Sequence, residues 1–520
     1  MEQNPQKPRI NGLTGKALQA LKKEYIIVGK RHIQGWHIWL FLCIFTGVTT
    51  GIAFVANRSG EVEPTQVAPI AAIDVTVYGN QSLGPFKLLQ GFIHGITYQI
   101  GTNYSSTIEK IDALKPQNWR ISNFINDVYE FVVTEANYPG RFGTKIVFVV
   151  DDAFINSKND SFVILDPSCP PANSTDNCFA TFDEMKTEWA NFIDLMMQPV
   201  ITQQSVTHYF DIFNEPEPGT SGKMRGLSSE QFLELFRLAH NGIRVYGMPV
   251  KIVAPSIADY DKVALEGFLT YVINNNLRLD ALSWHEFNWS GLNTTSPEVV
   301  PVHVNEMRQF FSEHPQLCNP ACPEIHINEY AGENHFVPGW AVGWLYYLGL
   351  GQTNVDVANR ACWDVWNGTK DWSNCWAGIN GMLMDDNVTP QAIYWVHKFY
   401  ADLLGSIQLK TTSTHAKTVA IAGKINSENT LGVMVGRYGG VAGGAANVNV
   451  VISKYPYTTT GSKKVKVQLW RVPKPTLSAE PLLSPIELPA RTISITEGTV
   501  SFSMLNFVDG DAYLIVIKPL

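Results

Sequence analysis

Between residues 86 and 405 the apolar residues of this chain alternate between a period of two and a period near 3.6, the signatures of strand and helix. Short β-rich runs fall at 89–97, 119–122, 145–150, 208–214, 251–254, 281–285, 324–328 and 361–365. Stretches with helical spacing fall at 122–137, 181–197, 229–246, 260–275, 300–313, 339–350 and 390–404. The best marked is 229–246, where Ser228 and Gln231 are spaced for a capping box, Leu227 can staple to Phe232, and Gly247 stops the helix. Strands that alternate with helices pair in parallel, and no Gly-rich phosphate loop marks a doubly wound sheet. The pattern therefore predicts a (β/α)8 TIM barrel over 86–405.

After Gly405 the helical spacing ends. Alternating segments at 418–422, 430–435, 448–452, 464–471 and 512–517, separated by turn residues, predict a C-terminal β-sandwich over 406–520. Ahead of the barrel, 57–85 reads as a stalk followed by a strand, AAIDVTVY at 71–78, that can join this sandwich. The Gly-rich run at 436–444 lacks the Lys-Ser/Thr of a phosphate cradle and reads as a connection.

Residues 38–56 (IWLFLCIFTGVTTGIAFVA) carry no charge and, as a helix rising about 1.5 Å per residue, match the ~30 Å core of a bilayer. The preceding tail, 1–37, holds seven Lys and Arg against Glu2 and Glu24. By the positive-inside rule the tail is cytosolic and the rest exported, as in a single-pass type II signal anchor with lumenal or extracellular domains. A cleavable signal peptide is the alternative, with Gly51 and Ala53 as its small residues. Beyond the span, 32 basic residues face 45 acidic ones, which speaks against nucleic acid as a partner. The sequence implies no oligomeric state.

Six cysteines follow the span in three close pairs: Cys169 with Cys178, Cys318 with Cys322, and Cys362 with Cys375. Local disulfides are the simplest of the possible connectivities, and no zinc-ligand spacing accompanies them. All N-x-Ser/Thr sequons lie beyond the span, at Asn57, Asn80, Asn103, Asn159, Asn173, Asn288, Asn293, Asn367 and Asn387, consistent with a glycoprotein.

In a barrel of this kind the chemistry sits at the C-terminal ends of the strands. Strand four runs HYFDIFNEPEP and presents Glu215 at its exit, with Asn214 before it; strand seven runs EIHINEYAG and presents Glu329. Two carboxylates across the mouth can flank one glycosidic bond, one protonating the leaving oxygen and one attacking the anomeric carbon. No metal and no cofactor is needed. Fourteen tryptophans suit sugar stacking and a large core equally well.

With these motifs the chain resembles the clan A retaining glycoside hydrolases, most closely the family 39 group of β-xylosidases and α-L-iduronidases, over residues 86–520. The resemblance implies that Glu215 of Asn-Glu-Pro is the acid/base and Glu329 the nucleophile. It implies a sugar-binding role for His285 in SWHEF, a basic residue supporting the nucleophile at Arg120 in NWRIS, and an aromatic platform at Trp363 in CWDVW. Glu217 after Asn-Glu-Pro and Tyr-Ala-Gly after Glu329 depart from the usual pattern and leave the sugar open. Asn214 is placed to bond a hydroxyl beside the reacting carbon. A neutral His285 donating to Glu329, together with Arg120, would keep Glu329 ionised while Glu215 stays protonated. Strand alternation turns Glu286 away from the pocket that His285 faces. The expected partner is an oligosaccharide, polysaccharide or glycoconjugate. A non-catalytic carbohydrate-binding membrane glycoprotein and a transglycosylase using the same carboxylates are the alternatives.

Overall fold

The computed structural model describes residues 72–93, 104–121, 127–158, 162–169, 177–201, 205–216, 223–247, 249–288, 296–332, 334–349, 355–362, 378–439, 444–457, 463–476 and 480–520. The basic tail 1–37 and the apolar run 38–56 lie outside the described residues, as does Trp363. Among the described residues no helix is long and apolar enough to cross a membrane.

Eight parallel strands close into a barrel in chain order: β1 (Gly91–Ile93), β2 (Asn118–Ile121), β3 (Lys145–Val149), β4 (His208–Asp211), β5 (Lys251–Ile257), β6 (Ala281–Asn288), β7 (Glu324–Gly332) and β8 (Val357–Arg360), which pairs back to β1. The strands read as apolar runs because both faces are covered. Ile146, Phe148, Phe210, Ile252, Leu282, Trp284, Ile325 and Ile327 face the surrounding helices, whereas Val147, Tyr209, Val253 and Ala281 fill the lower interior.

The helix Ser229–Arg244 starts as its sequence dictates. The Ser228 hydroxyl accepts the Gln231 N–H, and the Gln231 side chain accepts the Ser228 N–H, satisfying two donors that the first turn would otherwise leave bare. Elsewhere the elements depart from expectation for readable reasons. β8 lies at Val357–Arg360, ahead of the expected 361–365, because Asn359 and Arg360 give a fully buried strand the look of a loop. The helix Tyr104–Leu114 was not anticipated; its buried positions Thr107, Ile111 and Leu114 make too thin an apolar stripe. The tryptophans Trp119, Trp189, Trp284 and Trp344 are core residues.

The C-terminal domain is one continuous nine-stranded sheet. Ile73–Pro85 lies inside it, antiparallel to Ile407–Ser413 and parallel to Ala446–Ser453. The edge strands Ile486–Ser494 and Val500–Phe507 meet, with Arg491 Nη1 donating to the Ser503 carbonyl at 2.7 Å, so the sheet curls over one apolar core that includes Val75, Val433, Val450, Val467 and Phe502. A single sheet thus makes the sandwich.

Barrel and sandwich meet at the helix Pro338–Gly349 (PGWAVGWLYYLG), which is apolar on every side because both faces are covered. Trp344 packs on Tyr330 of the barrel wall, with ring centroids 5.8 Å apart. On the other side Gly339 abuts the Arg437 carbonyl, and a Cβ at Gly343 would stand 2.6 Å from the Tyr438 ring. Close backbone approach is what these glycines supply.

Disulfides join Cys169 to Cys178 and Cys318 to Cys322. Cys362 is also disulfide-bonded, and Cys375 lies outside the described residues. Asn80 is exposed. Asn387 is 3% exposed, a setting that disfavours a glycan. Asn57, Asn103, Asn159, Asn173, Asn293 and Asn367, and the side chain of Asn288, lie outside the described residues.

Replacing Gly339 by Ala should destabilise the protein by about 1–3 kcal/mol, the usual cost of overpacking a tight contact. Equilibrium urea unfolding reads this as a lowered midpoint, and an unchanged midpoint would contradict the close packing.

Candidate active site

The upper interior of the barrel is polar, and two interruptions in strand pairing make it so. Ser283 of β6 pairs with Pro255 of β5 and Trp284 with Ile257, leaving Ser256 as an extra residue. Likewise Trp284 pairs with Ile327 of β7 and His285 with Glu329, leaving Asn328 extra. A bulge of this kind resets the in–out alternation, so the consecutive residues Asn328 and Glu329 both reach inward.

Arg120, at the end of β2, is the hub. Its side chain is fully buried. Nε and Nη2 donate to Asp211 Oδ2 at 2.9 and 2.7 Å, Nη2 also donates to Asn214 Oδ1 at 2.9 Å, and Nη1 donates to Glu329 Oε1 at 2.6 Å. Burial works to lower the guanidinium pKa, but Asp211 and Glu329 override it and hold the cation more firmly than in water. Asp211 is in turn supported by the Ser256 hydroxyl at 2.7 Å and the Asn328 amide at 2.8 Å.

Glu215 follows β4 in a left-handed conformation, φ 52°, and its N–H donates to the Ser256 carbonyl at 2.9 Å. Ser256 is itself left-handed, φ 50°. Such backbone costs free energy and holds only where its surroundings fix it. Here the paired turns tip Glu215 over the barrel mouth. A hydrogen bond of 3.1 Å joins its Oε1 to His285 Nδ1. One oxygen of Glu215, one ring nitrogen of His285 and one oxygen of Glu329 lie within 4.8 Å of one another.

Three charged neighbours complete the electrostatics. Asp151 Oδ2 accepts the Asn214 N–H at 2.9 Å, and the Asn214 amide reaches Asp152 Oδ2 at 3.5 Å. Asp152 also pairs with Lys223. Lys223 is held by a small sheet of Val163–Leu165, Cys178–Phe179 and Met224–Arg225, in which the Val163 N–H donates to the Lys223 carbonyl at 2.9 Å. The Cys169–Cys178 disulfide ties that sheet down. Burial pushes the Asp151 carboxyl well above the usual range, and Asp152 adds to the rise. Burial also raises Glu215; the Lys223 and Arg120 cations pull it back only in part.

Of the residues singled out from sequence, Arg120, Asn214, Glu215, His285 and Glu329 converge at the mouth. His285 bonds Glu215 rather than Glu329. Glu286 faces away, buried against Trp284 Nε1 at 2.6 Å and His303 Nδ1 at 2.9 Å. The sequence reading missed Asp211, Ser256, Asn328, Asp151, Asp152 and Lys223. Asp211 carried a signal: it stands two residues after the inward Tyr209, and a carboxylate at a barrel-interior position demands a cation.

Among the described residues, Glu215, His285 and Glu329 are the group whose donor atoms could surround a cation. Arg120 already neutralises Glu329 there, which weakens its pull on a metal. A largely buried carboxyl raised by that burial, opposite a carboxylate held by a guanidinium, is instead suited to delivering a proton beside a nucleophile.

No protein-family model matches the chain, and no curated protein does. Solved structures do. A protein of Neocallimastix frontalis aligns over 86% of this chain and 100% of its own at 17% identity, with a TM-score of 0.62. A glucosidase from Croceicoccus marinus aligns over 86% and 99% at 13% identity, TM-score 0.59. The GH39 enzyme of Xanthomonas axonopodis pv. citri aligns over 88% and 99% at 12% identity, TM-score 0.58. The chain shares their fold. The last of them carries the family number that the strand-four and strand-seven motifs resemble.

Replacing Lys223 by Met removes a cation that favours ionised Glu215 and frees the negative charge of Asp152 beside it. Both effects act in one direction, so the Glu215 carboxyl should titrate at higher pH. Carbon-13 NMR of the labelled carboxyl reads the midpoint; an unmoved or lowered midpoint would refute the coupling.

Proposed function

We infer that this protein is a retaining glycoside hydrolase, with Glu329 as nucleophile and Glu215 as acid/base. The observation that carries the reading is the approach of the Glu215 and Glu329 carboxyls to within 4.8 Å across the barrel mouth. Retaining enzymes hold their two carboxyls ~5–5.5 Å apart, whereas inverting enzymes keep ~6.5–9.5 Å to admit a water.

In the first step Glu329 attacks the anomeric carbon, the glycosidic C–O bond breaks, and the Glu215 proton passes to the leaving oxygen. Arg120 holds Oε1 of Glu329, so Oε2 is the attacking atom. In the second step Glu215, now ionised, takes a proton from water as that water attacks the same carbon, releasing Glu329. Arg120 donates to Glu329 and orients it for the attack, and burial favours the protonated form of Glu215 beforehand. Asn214, fixed by Arg120 and Asp151, is the residue placed to bond a sugar hydroxyl next to the reacting carbon. Fold neighbours that include a glucosidase and a GH39 enzyme support a carbohydrate substrate.

The apolar run at 38–56 and the basic tail before it support a type II orientation, with the barrel and sandwich lumenal or extracellular. Digestion of sealed microsomes should therefore spare the barrel and remove only an N-terminal epitope. Loss of the barrel without detergent would overturn that orientation.

For the chemistry, full-length protein is incubated with nitrophenyl glycosides of several sugars. Glu329→Ala should abolish turnover of all of them. Glu215→Ala should lose on the order of 10²–10⁴-fold on poor leaving groups and far less on dinitrophenyl, which needs no proton. Proton NMR should find the first-formed product with the anomeric configuration of the substrate. An inverted product, or mutants as active as wild type, would end this reading.

A further inference from the structure

One wall of the barrel mouth is apolar where it borders the reacting groups. Phe287 follows His285 by two residues on β6, so both face inward, and their ring centroids are 5.2 Å apart. Phe287 packs with Ile93, the last residue of β1, and with Ala361, just past β8. Neither β1 nor β8 is a neighbour of β6, so these side chains meet across the interior. In the pairing of β6 with β7, His285 stands opposite Glu329 and Phe287 opposite Ala331, which puts the apolar layer one step above the nucleophile. We propose that this layer faces carbon 5 of the bound sugar and that the preferred substrates are 6-deoxyhexopyranosides, which carry a methyl group there. The proposal rests on the reading of Glu215 and Glu329 as the catalytic pair and names the sugar class for that site.

Orientation is the first support. The anomeric carbon lies between Glu215 and Glu329, and its two ring neighbours are carbon 2 and the ring oxygen. Asn214, fixed by Arg120 and Asp151, takes the hydroxyl on carbon 2. The ring oxygen and carbon 5 are thereby turned away from β2 and β4, toward the side where Phe287, Ile93 and Ala361 meet. Phe287 is 6% exposed, as is Asn214, so each shows the mouth a comparable narrow edge.

Chemistry is the second. The three side chains contain no polar atom. The Asn380 amide beside Ile93 is already spent, accepting the Ile93 N–H at 3.0 Å and donating to the Ile93 carbonyl at 2.6 Å. A hydroxymethyl group on carbon 5 would strand its hydroxyl against this layer. A carboxylate would fare worse. Arg120 gives its donors to Asp211, Asn214 and Glu329, and Lys223 pairs with Asp152. Arg360 precedes Ala361 but lies on the outer side of the wall: its register partner Tyr330 packs on Trp344, and its guanidinium donates to the carbonyls of His335 and Asn380. Among the described residues no cation is therefore left to face the layer. A bare carbon 5 makes little contact with it, whereas a methyl group packs against it.

The test uses the full-length protein and nitrophenyl glycosides in matched β-D-gluco, β-D-galacto, α-L-galacto and α-L-manno series, with methyl, hydroxymethyl, carboxylate or hydrogen on carbon 5. Within the series that is turned over, wild type should favour the methyl member over each of the others by on the order of tenfold or more in kcat/KM. Phe287→Asn adds an amide to the layer, and the milder Ile93→Thr adds a hydroxyl while staying β-branched. Each should bring the ratio of methyl to hydroxymethyl to within about threefold of unity. Turnover that favours another member, or a ratio unchanged in both variants, would overturn the assignment of the layer while leaving the glycosidase reading intact. Calorimetric binding of free 6-deoxyhexoses over their parent hexoses, lost in Ile93→Thr and without turnover of any glycoside, would uphold the layer and remove hydrolysis. Neither turnover nor binding would overturn both.

Discussion

Arg120 places a permanent positive charge where no water reaches it, and the groups around it are arranged to answer that charge. Breaking a buried pair of this kind costs about 3–5 kcal/mol, because the remaining charge is left unanswered. Asp211 meets the guanidinium from β4 with two contacts, and Ser256 and Asn328 hold Asp211 in turn. The planar fork has donors to spare, and these fix Asn214 and Glu329. A single side chain thereby aligns groups from β4 and β7 on opposite sides of the mouth. A lysine could supply the charge but not the angles.

Charge is apportioned across the mouth by distance from that hub. Glu329 lies within its direct reach. Glu215 is farther from it, raised by burial and restrained by Lys223, which belongs to the connection after β4 and not to the barrel wall. The two carboxyls therefore differ in their surroundings although their chemistry is the same, and that difference separates an acid from a nucleophile.

Much of the fold could be read from the chain because barrel strands are covered on both sides and must be apolar. β3, β5, β6 and β7 are of this kind. β8 was displaced because Asn359 and Arg360 are polar and still buried. Glu215 and Glu329 were legible as carboxylates at strand exits. The bulges at Ser256 and Asn328 were not, since strict alternation forbids Asn328 and Glu329 from facing inward together, and nothing in the local sequence announces the extra residue. The same lost register hid the Ser256 and Asn328 contacts to Asp211. The Lys223–Asp152 pair escaped notice because the two residues stand far apart in sequence and meet only through the small three-stranded sheet. His285 was placed correctly in the mouth, but its choice of Glu215 over Glu329 is a matter of side-chain geometry that no spacing rule decides.

The strand Ile73–Pro85 lies inside the C-terminal sheet, although the whole barrel separates it in sequence from both of its neighbours. During synthesis it emerges early and waits unpaired while more than three hundred residues follow, so the sandwich closes only when the last strands are made.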